Sequence, residues 1–156
     1  DKFWTPDRIA KAKSDSLSPI QVSTIASIVA EETNNKEEKP IIAGVYINRL
    51  RINMALQSCP TVKFAMGRFD LKRLYTNMLS YDNPYNTYKY KGLPPGPIRN
   101  PNKDDIDAVL NHVRNKYLYM CAKENFSGTH EFAETYEEHK ANSERYDKEL
   151  NKRGIK

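Results

Sequence analysis

The stretch Ser18-Pro19-Ile20-Gln21-Val22-Ser23-Thr24-Ile25-Ala26-Ser27-Ile28-Val29-Ala30-Glu31-Glu32-Thr33 decides how this chain folds. Its spacing predicts one helix over Ile20–Thr33. Ser18 suits the N-cap, Pro19 the first helical position, and Gln21 the third residue of a capping box. Val22, Ile25, Ile28 and Val29 form one apolar stripe at helical pitch. The next residue in that spacing is Glu32, while Glu31 falls on the polar side near Thr24 and Ser27. A carboxylate on an apolar face is costly when ionised, so its pKa rises toward the range a general acid needs. The competing reading is that the stripe ends at Val29 and Glu32 is a solvated residue of the last turn. Periodicity alone leaves both open.

The flanking segments build outward from this helix. Thr5 and Pro6 open a short helix within residues 1–16, anchored by Phe3, Trp4 and Ile9. After a polar loop, Asn34–Lys39, Pro40 opens a second helix to about Ile52, with Ile42, Val45, Tyr46 and Arg49 on one stripe. Gly44 suggests close helix contact. Together the two helices read as an αα-hairpin that brings Arg49 back beside the first helix, where it could pair with a carboxylate. Leu56 through Val62 reads as a loop, and Phe69–Leu79 as a short helix. Gly92-Leu93-Pro94-Pro95-Gly96-Pro97-Ile98 is a stiff loop, because its prolines lack donors and fix φ. Asp104 or Asp105 caps a helix to about Val113. Lys116–Ala122 reads as a buried strand, paired across the Gly128 turn with His130-Glu131-Phe132. Thr135 and Glu138 form a capping box for a last helix that carries Tyr136, His139, Ser143, Tyr146 and Leu150 on one seam and stops at Gly154. The expected class is α+β, mainly helical with a small antiparallel sheet, in a single domain over residues 1–156.

Bulk properties narrow the function classes. A net charge of +5 suits an acidic partner, but the charges are interspersed, which argues against a dedicated nucleic-acid groove. Ten tyrosines supply flat amphipathic surfaces of the kind carbohydrate uses. His112, His130 and His139 fit no zinc spacing, and neither a phosphate loop nor a dinucleotide fingerprint is present, so no metal and no cofactor is expected. His130 could hydrogen-bond substrate or lock its hairpin. Cys59 and Cys121 read as buried free thiols rather than a disulfide. The chain begins at Asp1 in mid-pattern, as a fragment of a longer protein would.

Several ordered motifs carry a resemblance. They are Ile25-Ala26-Ser27-Ile28-Val29 with Glu32-Thr33, Gly44-Val45-Tyr46-Ile47-Asn48-Arg49-Leu50, Leu56-Gln57 with Pro60-Thr61-Val62, Tyr85-Asn86-Thr87-Tyr88, the proline loop, Tyr117-Leu118-Tyr119, His130-Glu131-Phe132 and His139. From Leu17 to about Tyr146 the chain resembles the catalytic domain of the endolytic murein transglycosylase family, the MltG or YceG-like proteins. The resemblance implies cleavage of the β-1,4 bond between N-acetylmuramic acid and N-acetylglucosamine within peptidoglycan strands, ending in 1,6-anhydro sugars. It makes Glu32 the catalytic acid and then base. Gln57, Thr61, Asn86 and Thr87 are candidates to orient sugar and acetamido groups, and Tyr85 and Tyr88 to stack on sugar faces. Two departures stand out: Ala30 occupies the first carboxylate position of the family's E-x-E-T-like run, and Cys59 stands where many relatives carry Asp. The family also implies an N-terminal membrane span and a LysM-like region outside this chain, a place at the periplasmic face of the inner membrane, a soluble catalytic part, and glycan-polymerising synthases as neighbours. Three other readings compete: a non-catalytic peptidoglycan-binding module, a conventional glycoside hydrolase using Glu131 or Asp82 as second acid, and a basic nucleic-acid binder.

Overall fold

A computed structural model describes residues 3–71, 74–123 and 127–154. Among them the chain forms α1 (Pro6–Ser14), α2 (Pro19–Glu32), α3 (Lys39–Arg51), α4 (Cys59–Met66), α5 (Lys103–Leu110), β1 (Tyr119–Ala122), β2 (His130–Ala133) and α6 (Tyr136–Lys152). This is an α+β fold with one small antiparallel sheet. Among the described residues no helix is long and apolar enough to cross a membrane.

Helix α2 is the centre of the core. Its start follows the sequence: Ser18 Oγ accepts from Gln21 N, and Gln21 Oε1 accepts from Ser18 N at 2.8 Å. Thr33 turns to extended backbone and ends the helix at Glu32. The stripe residues Val22, Ile25, Ile28 and Val29 are buried, but so are Thr24 and Ser27. The expected polar side of the helix is therefore covered rather than wet. Ser27 Oγ donates to Thr24 O at 2.7 Å and accepts from Ile98 N at 3.0 Å, so the hydroxyl receives the proline loop instead of solvent. Helix α5 packs over α2 as well.

Other boundaries move for local reasons. The N-cap of α5 is Asn102, not Asp104 or Asp105; Asp105 serves instead as the third residue of its capping box. Buried Asp105 also takes Lys39 Nζ at 2.6 Å, tying the start of α5 to the start of α3. Cys59-Pro60-Thr61-Val62 is the first turn of α4 rather than loop, since Pro60 stands where a helix needs no donor. The Phe69–Leu79 helix reduces to a single 3-10 turn at Thr76–Met78, and the Lys72–Arg73 part of that expectation lies outside the described residues. Strand β1 is only half-buried and starts at Tyr119. It pairs with β2 in the register Tyr119 to Ala133 and Ala122 to His130. The helix seam of α6 starts late: Tyr136 is exposed while Leu150 is buried.

Gly44 makes its close contact with the segment after α5, not with a helix. A Cβ there would stand 2.5 Å from Val113 O and 2.9 Å from Asn115 Nδ2. Backbone cannot give way as a side-chain end can, so Gly44→Ala is expected to destabilise the fold by about 1–3 kcal/mol, read as a lowered urea midpoint with an unchanged slope.

Candidate functional site

Glu32 opens onto a cavity of about 400 Å³. One wall comes from the ends of α2, α3 and the start of α4, and the other from β1, β2 and α6. Glu32 keeps partial exposure through this opening while protein surrounds it otherwise. Burial raises its carboxyl above the ordinary carboxylate range, and the neighbouring Glu31 charge adds to the rise. Charges on His130 and Lys63 and the Tyr46 hydroxyl act in the opposite direction. Position contributes as well: as the last residue of α2, Glu32 sits at the negative end of the helix dipole, which disfavours an ionised acid. Glu31, also on the cavity lining, meets Arg99 at 3.4 Å and keeps partial contact with solvent.

Arg49 does not pair with a carboxylate among the described residues. It is buried, and donates from Nε to Leu118 O at 2.6 Å and from Nη1 to Ala55 O and Leu56 O, each at 2.9 Å. Its guanidinium lies 5.3 Å from the ring centre of Tyr119, and burial lowers its pKa. This cation staples α3 to the chain entering α4 and to the chain entering β1. Beside it, the Tyr46 hydroxyl and Ser58 Oγ are buried and make no hydrogen bond in the structure. Burial pushes the Tyr46 phenol well up, with the Glu32 charge as the next cause. Tyr46 lines the cavity with the protonatable acid and gives it a polar tip able to meet hydroxyl or amide groups.

The residues proposed to meet sugar divide into two sets. Gln57 and Tyr88 line the cavity with Glu32. Gln57 holds a left-handed φ of 51° and donates its backbone N–H to Thr87 O. Tyr88 Oη and Cys59 Sγ are 3.4 Å apart, and burial raises both groups' pKa values. Thr61, Asn86 and Thr87, by contrast, are buried behind the wall. Asn86 Nδ2 donates to Leu79 O at 2.9 Å and Tyr81 O at 2.8 Å, and its Oδ1 accepts from Tyr88 N at 2.9 Å. Thr87 Oγ1 accepts from Ser58 N at 2.9 Å and meets Thr61 Oγ1 at 2.8 Å. These three fix the loop that presents Gln57 and Tyr88. Tyr85 packs its ring 4.8 Å from that of Phe64 and does not line the cavity.

Sequence reasoning missed three contributors. Lys63 brings a cation to the cavity from α4. His139, stacked on Tyr119 at 5.1 Å, has its pKa lowered, first by burial and then by the Arg49 charge. Tyr46 shows on the α3 stripe as a polar-tipped member beside Arg49, and that is its signal. Lys63 gives none, because the segment leading to it reads as loop. The larger groove, about 740 Å³ between the α1–α2 turn and the proline loop, contains no comparable acid; its Asp15 is neutralised by Arg51 at 3.0 Å.

The sequence profile of the YceG-like family matches residues 1–145. An endolytic murein transglycosylase of Bacillus subtilis is 39% identical over 137 residues, which are 88% of this chain and 37% of that protein. The endolytic murein transglycosylase of Streptococcus pneumoniae is 37% identical over 114 residues, 70% of this chain and 21% of its own. A crystal structure of a yceG-like protein from Listeria monocytogenes superposes with a TM-score of 0.76 at 35% identity, over 85% of this chain and 42% of that one. This chain thus spans well under half the length of the relatives it matches.

Two stability measurements probe the site. Removing the guanidinium leaves buried carbonyls without donors, so Arg49→Met is expected to cost about 3 kcal/mol or more, and Arg49→Lys to recover only part, because one ammonium cannot span the same three carbonyls. Glu32 has the reverse effect. Its folded pKa is raised above 4.5, so between the unfolded and folded values the folded state holds a proton the unfolded state has lost. Stability therefore falls as pH rises through that window. Glu32→Gln should melt higher than the wild type at pH 7, and the gap should close by about pH 4, near and below the ordinary carboxylate pKa.

Proposed function

The chain belongs to the YceG-like family, and we propose that it is the catalytic part of an endolytic murein transglycosylase, a lyase that cuts β-1,4 bonds between N-acetylmuramic acid and N-acetylglucosamine inside peptidoglycan strands. The observation that carries this reading is Glu32: a single acid with a raised pKa at the floor of a cavity lined by hydroxyls, an aromatic ring and cations. Its relatives' names supply the substrate class.

One carboxyl suffices for the reaction. Protonated Glu32 gives its proton to the glycosidic oxygen as the bond from the muramic acid C1 to that oxygen breaks, and the N-acetylglucosamine end leaves as an alcohol. The 6-hydroxyl of the same muramic acid then bonds to C1, and its proton passes to the Glu32 carboxylate. A 1,6-anhydro end results, no water is consumed, and Glu32 is returned to its protonated state. A raised pKa serves both halves, because the acid must hold its proton at first and accept one back afterwards. Ordinary glycosidases need a second carboxyl at a defined separation. Glu131 and Asp82 are absent from the cavity lining, and Asp82 is bonded to Tyr90 at 2.6 Å; the other carboxyls on that lining are Glu31, which meets Arg99, and Asp147 of α6. The oxocarbenium-like centre needs dipoles around it; Tyr46 offers a hydroxyl there, and Gln57 and Tyr88 a polar and a flat surface.

In this scheme Thr61, Asn86 and Thr87 act by holding the wall, and Tyr85 by packing behind it. Cys59, where many relatives carry Asp, adds a neutral thiol beside Tyr88. Peptidoglycan strands are the partner; a membrane anchor, a periplasmic address and contact with glycan-polymerising synthases belong to the longer protein this reading implies.

Mass spectrometry of purified strands incubated with the protein tests the proposal. Internal cuts with 1,6-anhydro ends, reduced at least about 100-fold in Glu32→Gln, are expected. Reducing ends would show that water attacked and would overturn the scheme in favour of a conventional hydrolase.

A further inference from the structure

Glu38 is buried just before α3, and it grips His130 of β2 with both carboxylate oxygens. Oε2 accepts the His130 backbone N–H at 2.8 Å, and Oε1 lies 3.0 Å from ring Nδ1. The side chains are 11% and 9% exposed, respectively. A carboxylate oxygen at that distance needs a donor, so Nδ1 carries a proton. That leaves Nε2 as the ring's remaining polar atom, and His130 lines the same cavity as Glu32. A hairpin lock would need only the backbone contact. The second contact fixes the tautomer and plane of a ring in the wall of the acid's cavity, the arrangement in which a carboxylate orients a working imidazole.

We propose that Glu38 and His130 form a positioning pair for Glu32, with Glu38 holding the Nδ1–H side of the ring so that Nε2, in the ring form that carries a proton there as well, stabilises the Glu32 carboxylate formed when the proton leaves. The kinetic side of this inference rests on reading Glu32 as the acid; the geometric side does not. The other groups around Glu32 do not replace the pair. Helix α2 adds Glu31, which opposes ionisation; α3 adds Tyr46 and Arg49, the latter committed to three carbonyls. Helix α4 adds Cys59 and Lys63, the 85–88 loop Tyr88, and β1 Cys121. Helix α6 adds His139, Tyr146 and Asp147. Of these only Lys63 also favours the ionised acid by its charge, and His130 does so more strongly.

Carbon-13 NMR of labelled glutamate carboxyls, which needs no substrate, tests the pair. In His130→Gln the Glu32 midpoint should move to higher pH, and Glu38→Gln should move it the same way. With strands as substrate, the alkaline limb of kcat/KM, set by loss of the Glu32 proton, should move up in step. At the optimum kcat should fall tenfold or more with KM within about twofold. A folded His130→Gln protein whose Glu32 midpoint stays at the wild-type value overturns the proposal, whatever the strand assay shows. If that variant does not fold, the wild type decides. Nitrogen-15 shifts of the His130 ring should report a protonated Nδ1 and should respond at the Glu32 midpoint. A ring with a bare Nδ1, or one blind to Glu32, overturns it equally. Absence of strand cutting alongside a shifted midpoint would count against the proposed function and leave the pair standing.

Discussion

A guanidinium bound to backbone carbonyls holds the site together. Arg49 leaves α3 and binds the carbonyls of Ala55, Leu56 and Leu118, and so joins three parts of the chain that no sheet or helix pair would bring together. Carbonyls disperse the positive charge without neutralising it. An opposing carboxylate at that point would have replaced the backbone contacts with a local ion pair and freed the 55–56 segment. The planar fork of arginine suits this geometry, which a lysine could meet only in part. This one side chain joins helix α3 to the mouth of α4 and to the chain entering the first strand, and Asn48 adds bonds from α3 to the carbonyls of Asn115 and Tyr117.

The polar framework around the cavity follows the same logic. Asn86 replaces missing secondary structure, closing the 79–88 turn with its amide as a strand ladder would with its backbone. Thr61 and Thr87 share hydroxyls between the first turn of α4 and the loop, and Thr87 also accepts the backbone N–H of Ser58. Buried polar groups of this kind are costly unless fully bonded, and these are bonded. Tyr46, by contrast, lines the cavity with Glu32.

The helical skeleton was legible from the sequence because caps and periodicity agree at α1, α2 and α6, while α3, which has no side-chain cap, is marked by Pro40 and its stripe. The second helix even announced its unusual last residue: an apolar stripe that ends in Glu32. Legibility failed where one residue type serves two structures. Pro60 among short polar residues reads as loop, yet proline opens helices equally well, and α4 begins there. Asp105 looks like a cap and is the reciprocal member of one. Thr24 and Ser27 look solvated and are buried, because the chain that covers them arrives from residue 98. The site split along the same line. Glu32, Gln57 and Tyr88 face the cavity, whereas Thr61, Asn86 and Thr87 sit behind it; motif strings do not distinguish a residue that touches a ligand from one that fixes its neighbour. Arg49 and Glu38 satisfy partners far along the chain, which no local pattern encodes.

The cavity's two walls come from distant parts of the chain. Glu32, Tyr46 and Lys63 lie in its first half, while His130 and α6 close it from the far end. Contacts so separated in sequence form late, after loop-closure entropy has been met. During synthesis the acid is therefore made well before the wall that shapes its surroundings, and a chain cut short ahead of α6 carries Glu32 in an open, watery half-site. There its carboxyl ionises as any surface glutamate does. The surroundings that raise the Glu32 pKa are, by the topology of the chain, complete only when its last helix has docked.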